Sequence, residues 1–256
     1  MHPASKVSTP PYLKSDYGDL PEIAIKVADV PMMPTTEWAI ANNEWKNIVQ
    51  AYLACVSFVD AQAGKVLRAL EASPHADNTI VILWSDHGYH IGEKNRFAKH
   101  SLWERATRAP LMIAGPGLPE GRVCDQPAEM LDIYPTLADL CGLPANPRNE
   151  GHSLRPLLED PEAGWPHAAI TTYGRNNHAI RTRHFRYIRY ENGDEELYDH
   201  RLDGNEWNNL AADPAYRDEI ALLRQHLPRT NAAWSPEAPY DYNQYLSEAF
   251  RREVAR

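Results

Sequence analysis

Long hydrophobic runs are missing from this sequence. No stretch of about 18 apolar residues occurs, so no transmembrane helix is expected. Cysteine is scarce, with 3 in 256 residues. Cys55, Cys124 and Cys141 lie too far apart for a disulfide framework or a zinc spacing, and they leave the compartment undefined. Positive charge is in deficit: 26 Lys and Arg face 35 Asp and Glu, a formal charge of −9. That excludes a general nucleic-acid binder, which needs a positive face toward phosphate. It leaves room for a small anion held by a few local cations. The residues from Met1 to Pro11 lack an apolar core, so no secretory signal is read there and localisation stays open. What is present is ordinary: 43% hydrophobic and 24% charged residues, the composition of a globular chain. Such a chain buries roughly 70–75% of its unfolded surface and needs no staple.

Residues 1–35 are punctuated by Pro3, Pro10, Pro11, Pro21, Pro31 and Pro34 and have no helical or strand period. They read as an extended segment. From Trp45 to Leu70, apolar side chains recur at three- and four-residue steps, which predicts a helix over Asn43–Ala72 with that stripe as its core face. Thr79–Trp84 is a continuous apolar run, as expected of a strand buried on both faces in a parallel sheet. Pro110–Ala114 reads the same way. Helix followed by buried strand points to α/β architecture. Asp132–Cys141 reads as a helix, with Asp132 as cap and Gly142 as stop. After Pro147 the pattern changes to short strands at Ala168–Thr172, Ala179–Arg183, Phe185–Tyr190 and Glu195–Tyr198, with Asn192-Gly193 as a hairpin turn. Pro214–Leu227 reads as a helix, and the end from Thr230 is polar. The expected divisions are therefore 1–35, an α/β portion over 36–147, and an antiparallel subdomain with terminal helices over 148–256.

The stretch with chemical content is Ser85-Asp86-His87-Gly88-Tyr89-His90, continuing to His100. It begins where a buried strand ends, the place where ligands bind in open parallel sheets. Asp86 offers carboxylate oxygens and His87 an imidazole nitrogen, and Gly88 permits a tight exit. Lys94, Arg96 and Lys99 put positive charge on this loop of an acidic chain, which points to an anionic substrate. Each signal also has a plain reading. Asp and His at a strand end serve as turn or cap residues. Lys94 and Arg96 are taken singly as solvated, and His90 and His100 as satisfied histidines. Two ligands do not make a catalytic metal site, and Asp16, Asp19 and Asp29 are scattered among prolines.

These residues resemble the sulfatases of the alkaline phosphatase superfamily, in the iduronate sulfatase-like and choline sulfatase-like branch. The matching text runs from Tyr52 to Leu67 and from Asn78 to Glu93. It continues through Phe97-Ala98-Lys99, Arg108–Ile113, Leu131–Leu137, Glu196–Asp199 and Glu206–Leu210. The resemblance covers about Tyr12 to Leu227. It implies an alkaline-phosphatase-like parallel-sheet sandwich, incomplete here, followed by a small antiparallel α+β subdomain, with 36–147 as the C-terminal part of the catalytic domain. It implies sulfate ester hydrolysis assisted by a divalent cation, usually calcium, with magnesium as the alternative. Asp86 and His87 would hold the cation, and Lys99 would contact the sulfate. Tyr89, His100 and His178 are the candidates to line the substrate, with a hairpin-edge role the rival reading for His178. The implied partner is a sulfated small molecule or sulfated glycan, with no nucleic acid and no membrane.

The sequence departs from the family at the nucleophile. The Cys/Ser-x-Pro-x-Arg motif that matures to formylglycine is absent from these 256 residues. The family's early paired Asp ligands and its mid-chain His are not matched either. The expectation is a C-terminal sulfatase portion, truncated and inactive alone, supplying part of the metal and sulfate site. A complementary N-terminal chain or a homo-oligomer would then be its partner. Two rivals stand beside it: a phosphodiesterase or phosphonate hydrolase of the same superfamily, and a non-catalytic binding module or split-enzyme subunit.

Overall fold

The computed structural model describes residues 2–30 and 32–233. They fall into two compact units, 2–116 and 117–233. The division lies at Pro116–Gly117, whereas composition places the change after Pro147.

In the first unit the Pro-rich start is not simply extended. It holds short turns at Ala4–Lys6 and Asp16–Asp19 and the helix α1 (Glu22–Ala28), which buries Ala24 and Ala28. Prolines forbid helix interiors but not starts, and Pro21 sits just before α1. Helix α2 (Thr36–Ala41) is capped by Thr35, whose hydroxyl accepts from Trp38 N at 3.1 Å. Helix α3 (Trp45–Glu71) has 27 residues and no proline, and ends before Pro74. Its first turns are seated: Val49 is buried, and Trp45 Nε1 donates to Ile91 O at 2.7 Å. Beyond them the apolar stripe expected as core is open to solvent. Val56 is 50%, Val59 63% and Val66 70% exposed, with Phe58 alongside at 66%. Periodicity reports that a helix has an apolar face, not that something packs on it.

Strand β1 (Val81–Trp84) pairs with β2 (Leu111–Ala114) across the short helix α4 (Glu104–Thr107). The pairing is antiparallel, Val81 opposite Ala114 and Trp84 opposite Leu111. The expectation of strands buried on both faces is therefore corrected. Among the described residues the pair has no flanking strand, and Leu83, Trp84 and Met112 are exposed.

The second unit contains α5 (Ile133–Leu140), α6 (Arg155–Glu159), the meander β3 (Ala169–Thr172), β4 (His178–Arg181), β5 (Phe185–Arg189), β6 (Glu195–Asp199), and α7 (Arg217–Leu223). The predicted cap Asp132 acts one turn early. Its carboxylate accepts from Glu129 N and His152 N, both at 2.8 Å, at the turn that leads into α5. Ile180, Tyr187 and Leu197 from the sheet and Ile220 and Leu223 from α7 make the core. Glu196 is buried and accepts from Tyr190 Oη at 2.5 Å and from Tyr198 Oη; burial first, and then the Glu196 carboxylate, pushes both phenols' pKa well above the usual value. Glu206 pairs with buried Arg186 at 2.7 Å. The segments 196–199 and 206–210 therefore serve the fold. The polar end beyond Ala233 lies outside the described residues. No helix among the described residues is long and apolar enough to cross a membrane.

His90 gives the first unit a pH dependence. Its ring is fully buried, edge-on to Trp103, with Nε2 3.0 Å from Ser101 Oγ. Burial, then Arg96, Lys94 and Arg105, hold its pKa well below 6.5. Below about pH 6.5 the unfolded chain takes a proton that the native ring refuses, so stability falls as pH drops through that window. Thermal melts from pH 7 to 5 are expected to show this loss, with His90 contributing up to about 1.4 kcal/mol per pH unit. His90→Gln is expected to flatten the slope; an unchanged slope would contradict the assignment.

Candidate functional site

The site grows out of the chain's exit from β1. Ser85 N donates to Pro110 O at 3.3 Å, and Gly88 N donates to Ala106 O at 2.8 Å, which presses the backbone onto α4. A Cβ at Gly88 would lie 2.1 Å from Arg105 O and 2.6 Å from Arg108 O, so only glycine fits. The chain then folds back on itself. His90 N donates to Ala98 O and Gly92 N to Arg96 O, each at 3.0 Å. This return brings Lys99 Nζ to 3.0 Å from His87 Nε2.

The turn of this loop is strained and clamped. Gly92, Lys94 and Asn95 have φ of 130°, 51° and 48°. Non-glycine residues in the left-handed region cost of order 1 kcal/mol or more each and persist only where surroundings fix them. Here they are fixed by the N-terminal elements. Thr36 Oγ1 donates to Gly92 O at 2.7 Å and Tyr17 Oη to Lys94 O at 2.6 Å; Asn95 Oδ1 accepts from Glu37 N at 3.1 Å. Lys94 Nζ pairs with Asp16 at 2.8 Å, with both side chains nearly inaccessible, and lies 5.4 Å from the Trp103 ring centre. Arg96 donates to Ala28 O and also faces Trp103.

Lys94 and Arg96 are thus buried against the protein's own acceptors, which corrects the readings of them as solvated and as cations offered to a substrate anion. The sequence reading missed Asp16, Tyr17, Thr36, Trp45 and Trp103 as the loop's supports. Asp16 and Tyr17 lie in the proline-punctuated residues 1–35, which carry no periodic signal, and Thr36, Trp45 and Trp103 are joined to the loop by tertiary contact alone.

The exposed end of the loop carries the donors. His87 Nδ1 lies 2.7 Å from Gly88 O. A carbonyl only accepts, so Nδ1 donates to it. Asp86 Oδ2 lies 3.4 Å from that Nε2, and Asp86 is three-quarters exposed. His100 follows Lys99; burial first, then Lys99, Arg96 and His87, lowers its pKa. Tyr89 stacks on Tyr52 at 5.9 Å and donates to Phe97 O at 2.9 Å; burial and then Tyr52 raise its pKa. Asp86, His87, Tyr89, Lys99 and His100 therefore share one loop. His178 belongs to the second unit, where it is buried. Its Nδ1 lies 2.9 Å from Thr172 Oγ1 and its Nε2 2.7 Å from Asn231 Oδ1, so both ring nitrogens are engaged within the fold.

A sulfatase family profile matches residues 3–143. The chain belongs to the sulfatase family. The profile of the C-terminal part of N-sulphoglucosamine sulphohydrolase matches residues 92–233. A sulfatase of Formosa agariphila is 53% identical over 248 residues, covering 97% of this chain and 49% of that protein. The choline-sulfatase of Rhizobium meliloti is 34% identical, covering 74% of this chain and 38% of that protein. A solved relative in complex with its substrate D-glucosamine-2-N,6-O-disulfate is 30% identical with a TM-score of 0.66, over 73% of this chain and 41% of its own. A 2-O GAG sulfatase superposes with a TM-score of 0.69 at 26% identity, over 96% of this chain and 55% of its own. These neighbours bear out the sulfatase-like α/β class. A phosphonate monoester hydrolase, at 22% identity and TM-score 0.71 over 88% of this chain and 50% of its own, shares the fold alone. This sulfatase chain spans about half the length of the relatives it matches.

Two substitutions test the loop's supports. Gly88→Ala is expected to cost about 3 kcal/mol by overpacking against the α4 carbonyls, read by denaturant unfolding. Lys94→Met is expected to cost about 3 kcal/mol, because it breaks the buried 2.8 Å ion pair with Asp16. A loss under about 1 kcal/mol for Lys94→Met would contradict the clamp.

Proposed function

We propose that this chain carries the cation-binding and sulfate-recognising part of a sulfate ester hydrolase centre. The observation that carries the reading is the convergence of Asp86 Oδ2, His87 Nε2 and Lys99 Nζ at the end of β1. Asp86 and His87 would hold a divalent cation. Asp86 Oδ2 and His87 Nε2 lie 3.4 Å apart, a carboxylate oxygen beside an imidazole nitrogen, which would suit a divalent cation such as calcium or magnesium. His87 fits the role because its Nδ1 donates to the Gly88 carbonyl at 2.7 Å, which orients the ring so that Nε2 would be the atom to face a cation. A bound cation supplies charge neutralisation at the sulfate oxygens. Lys99 presents an ammonium toward the same anion, a point charge on a flexible stem.

The nucleophile is then supplied by polypeptide outside these 256 residues, since no Cys/Ser-x-Pro-x-Arg motif lies within them. The exposed apolar face of α3, with Val56, Phe58, Val59 and Val66, supports this, because a contiguous apolar face calls for a covering partner. The proposed substrate class is a sulfated sugar. Relatives at 30% and 32% identity are an N-acetylglucosamine-6-O-sulfatase and a Δ4,5-hexuronate-2-O-sulfatase of Bacteroides thetaiotaomicron.

Titration calorimetry with calcium tests the first part. The parent chain is expected to bind weakly, since Asp86 and His87 supply two of the roughly 6–8 ligands calcium takes, and Asp86→Asn or His87→Ala to weaken that binding at least tenfold; unchanged binding would favour the non-catalytic module. Aryl sulfate turnover tests the second. It is expected only when a polypeptide bearing the nucleophile motif is added, and turnover by the 256-residue chain alone would contradict it.

A further inference from the structure

Three aromatic side chains of the second unit, none of them used by the proposed reaction, form one cluster. His152 and His167 stack face to face, with ring centroids 3.6 Å apart and planes 20° from parallel. Trp165 stands edge-on to both, at 4.7 Å from His167 and 6.4 Å from His152. The cluster joins stretches distant in sequence. Trp165 Nε1 donates to Pro127 O at 3.0 Å, which fixes the indole to the segment leading toward α5. His152 N donates to Asp132 Oδ1 at 2.8 Å, and a Cβ at Gly151 would lie 2.2 Å from Leu131 O, so the backbone beneath His152 has no room to shift. Ile170 N donates to Glu129 Oε1 at 2.8 Å, which holds β3 to the same turn.

A stack of two imidazoles is sensitive to its proton count. One protonated ring is attracted to the face of a neutral one, because the ring quadrupole favours a cation there. Two protonated rings 3.6 Å apart repel, and partial burial weakens the screening. The stack therefore accommodates one proton and not two.

We propose that His152 and His167 form a proton-operated latch over the segment entering β3: the stack is closed while the pair carries at most one proton, and a second proton swings His152 into solvent and uncovers His167 and Trp165. His152 is the ring that moves. Its backbone is held and its side chain is exposed, whereas Trp165 and His167 are half-buried and the next residue, Ala168, lies in the core.

The surrounding groups set where the latch opens. Asp132, on the turn into α5, favours a proton on His167, and His226, after α7, opposes it. Glu129 faces His152, and burial makes that carboxyl harder to ionise. Asp139 and Arg155, beside Ser153, are paired with each other at 3.1 Å. Burial first, and then His152, lower the His167 pKa from 6.5. The unfolded chain then accepts a proton that the closed stack resists, so the stack is favoured above about pH 6.5 and is lost as pH falls below it.

NMR of the isotopically labelled chain from pH 7.5 to 5 tests the latch. In the parent, the cross-peak between the His152 and His167 rings is expected to disappear on acidification and the Trp165 indole signal to shift with it, while the core methyl signals of Ile180 and Leu197 stay in place. His152→Phe keeps a ring on the stack without a charge and is expected to raise the His167 titration by about half to one pH unit. A cross-peak that persists at pH 5, or an unchanged His167 titration in His152→Phe, would overturn the latch. Loss of the cross-peak together with the core signals would also overturn it, since the whole unit would then be unfolding. The cross-peak is read in the parent chain, so the test holds even if the variant fails to fold.

Discussion

The buried pair of Lys94 and Asp16 is the constraint on which the site depends. Lys94 sits in a left-handed backbone conformation, a position that a side chain of its size seldom occupies. What keeps it there is a salt bridge shut away from water against the Trp103 face. A buried pair contributes little net stability compared with apolar packing, but it punishes every arrangement in which one partner is left alone. It thereby selects one path for the loop between Gly88 and Ser101. That path returns Lys99 to His87.

The loop divides its cations by burial. Lys94 and Arg96 are enclosed and bind the protein's own acceptors. Lys99 stays at the surface beside Asp86 and His87. Charge in a low-dielectric setting is committed to structure, whereas charge at the surface keeps the freedom to exchange partners. The imidazoles divide the same way. His90 is buried and held neutral, a structural ring between Ser101 and Trp103. His87, three residues earlier, is half-buried, with Nε2 beside Lys99 and Asp86. In the second unit His178 has both nitrogens engaged, and Glu196 and Glu206 are consumed by tyrosines and arginine.

Much of this was legible in the sequence where the signal is local. The α3 helix, the β3–β6 meander and the strand ending at Trp84 follow from spacing and turn residues. Asp86, His87 and Lys99 are singled out by the motif at that strand's end and by the family resemblance, and the structure brings the three side chains together. What was not legible depends on tertiary contact. An apolar stripe has the same period whether covered or exposed, so α3 could not reveal that Val56, Val59 and Val66 face solvent. A lysine in a polar loop reads as solvated unless its carboxylate is known, and Asp16 lies 78 positions away in the chain. A continuous apolar run suits a parallel or an antiparallel partner, so β1's pairing with β2 was open.

The most direct test of the proposed site is paramagnetic broadening by manganese, read in the amide spectrum of the isotopically labelled chain. The account predicts that low manganese concentrations selectively erase the signals of Asp86, His87, Gly88 and Lys99, and that calcium restores them. Broadening centred on other residues, or none at the end of β1, would contradict it.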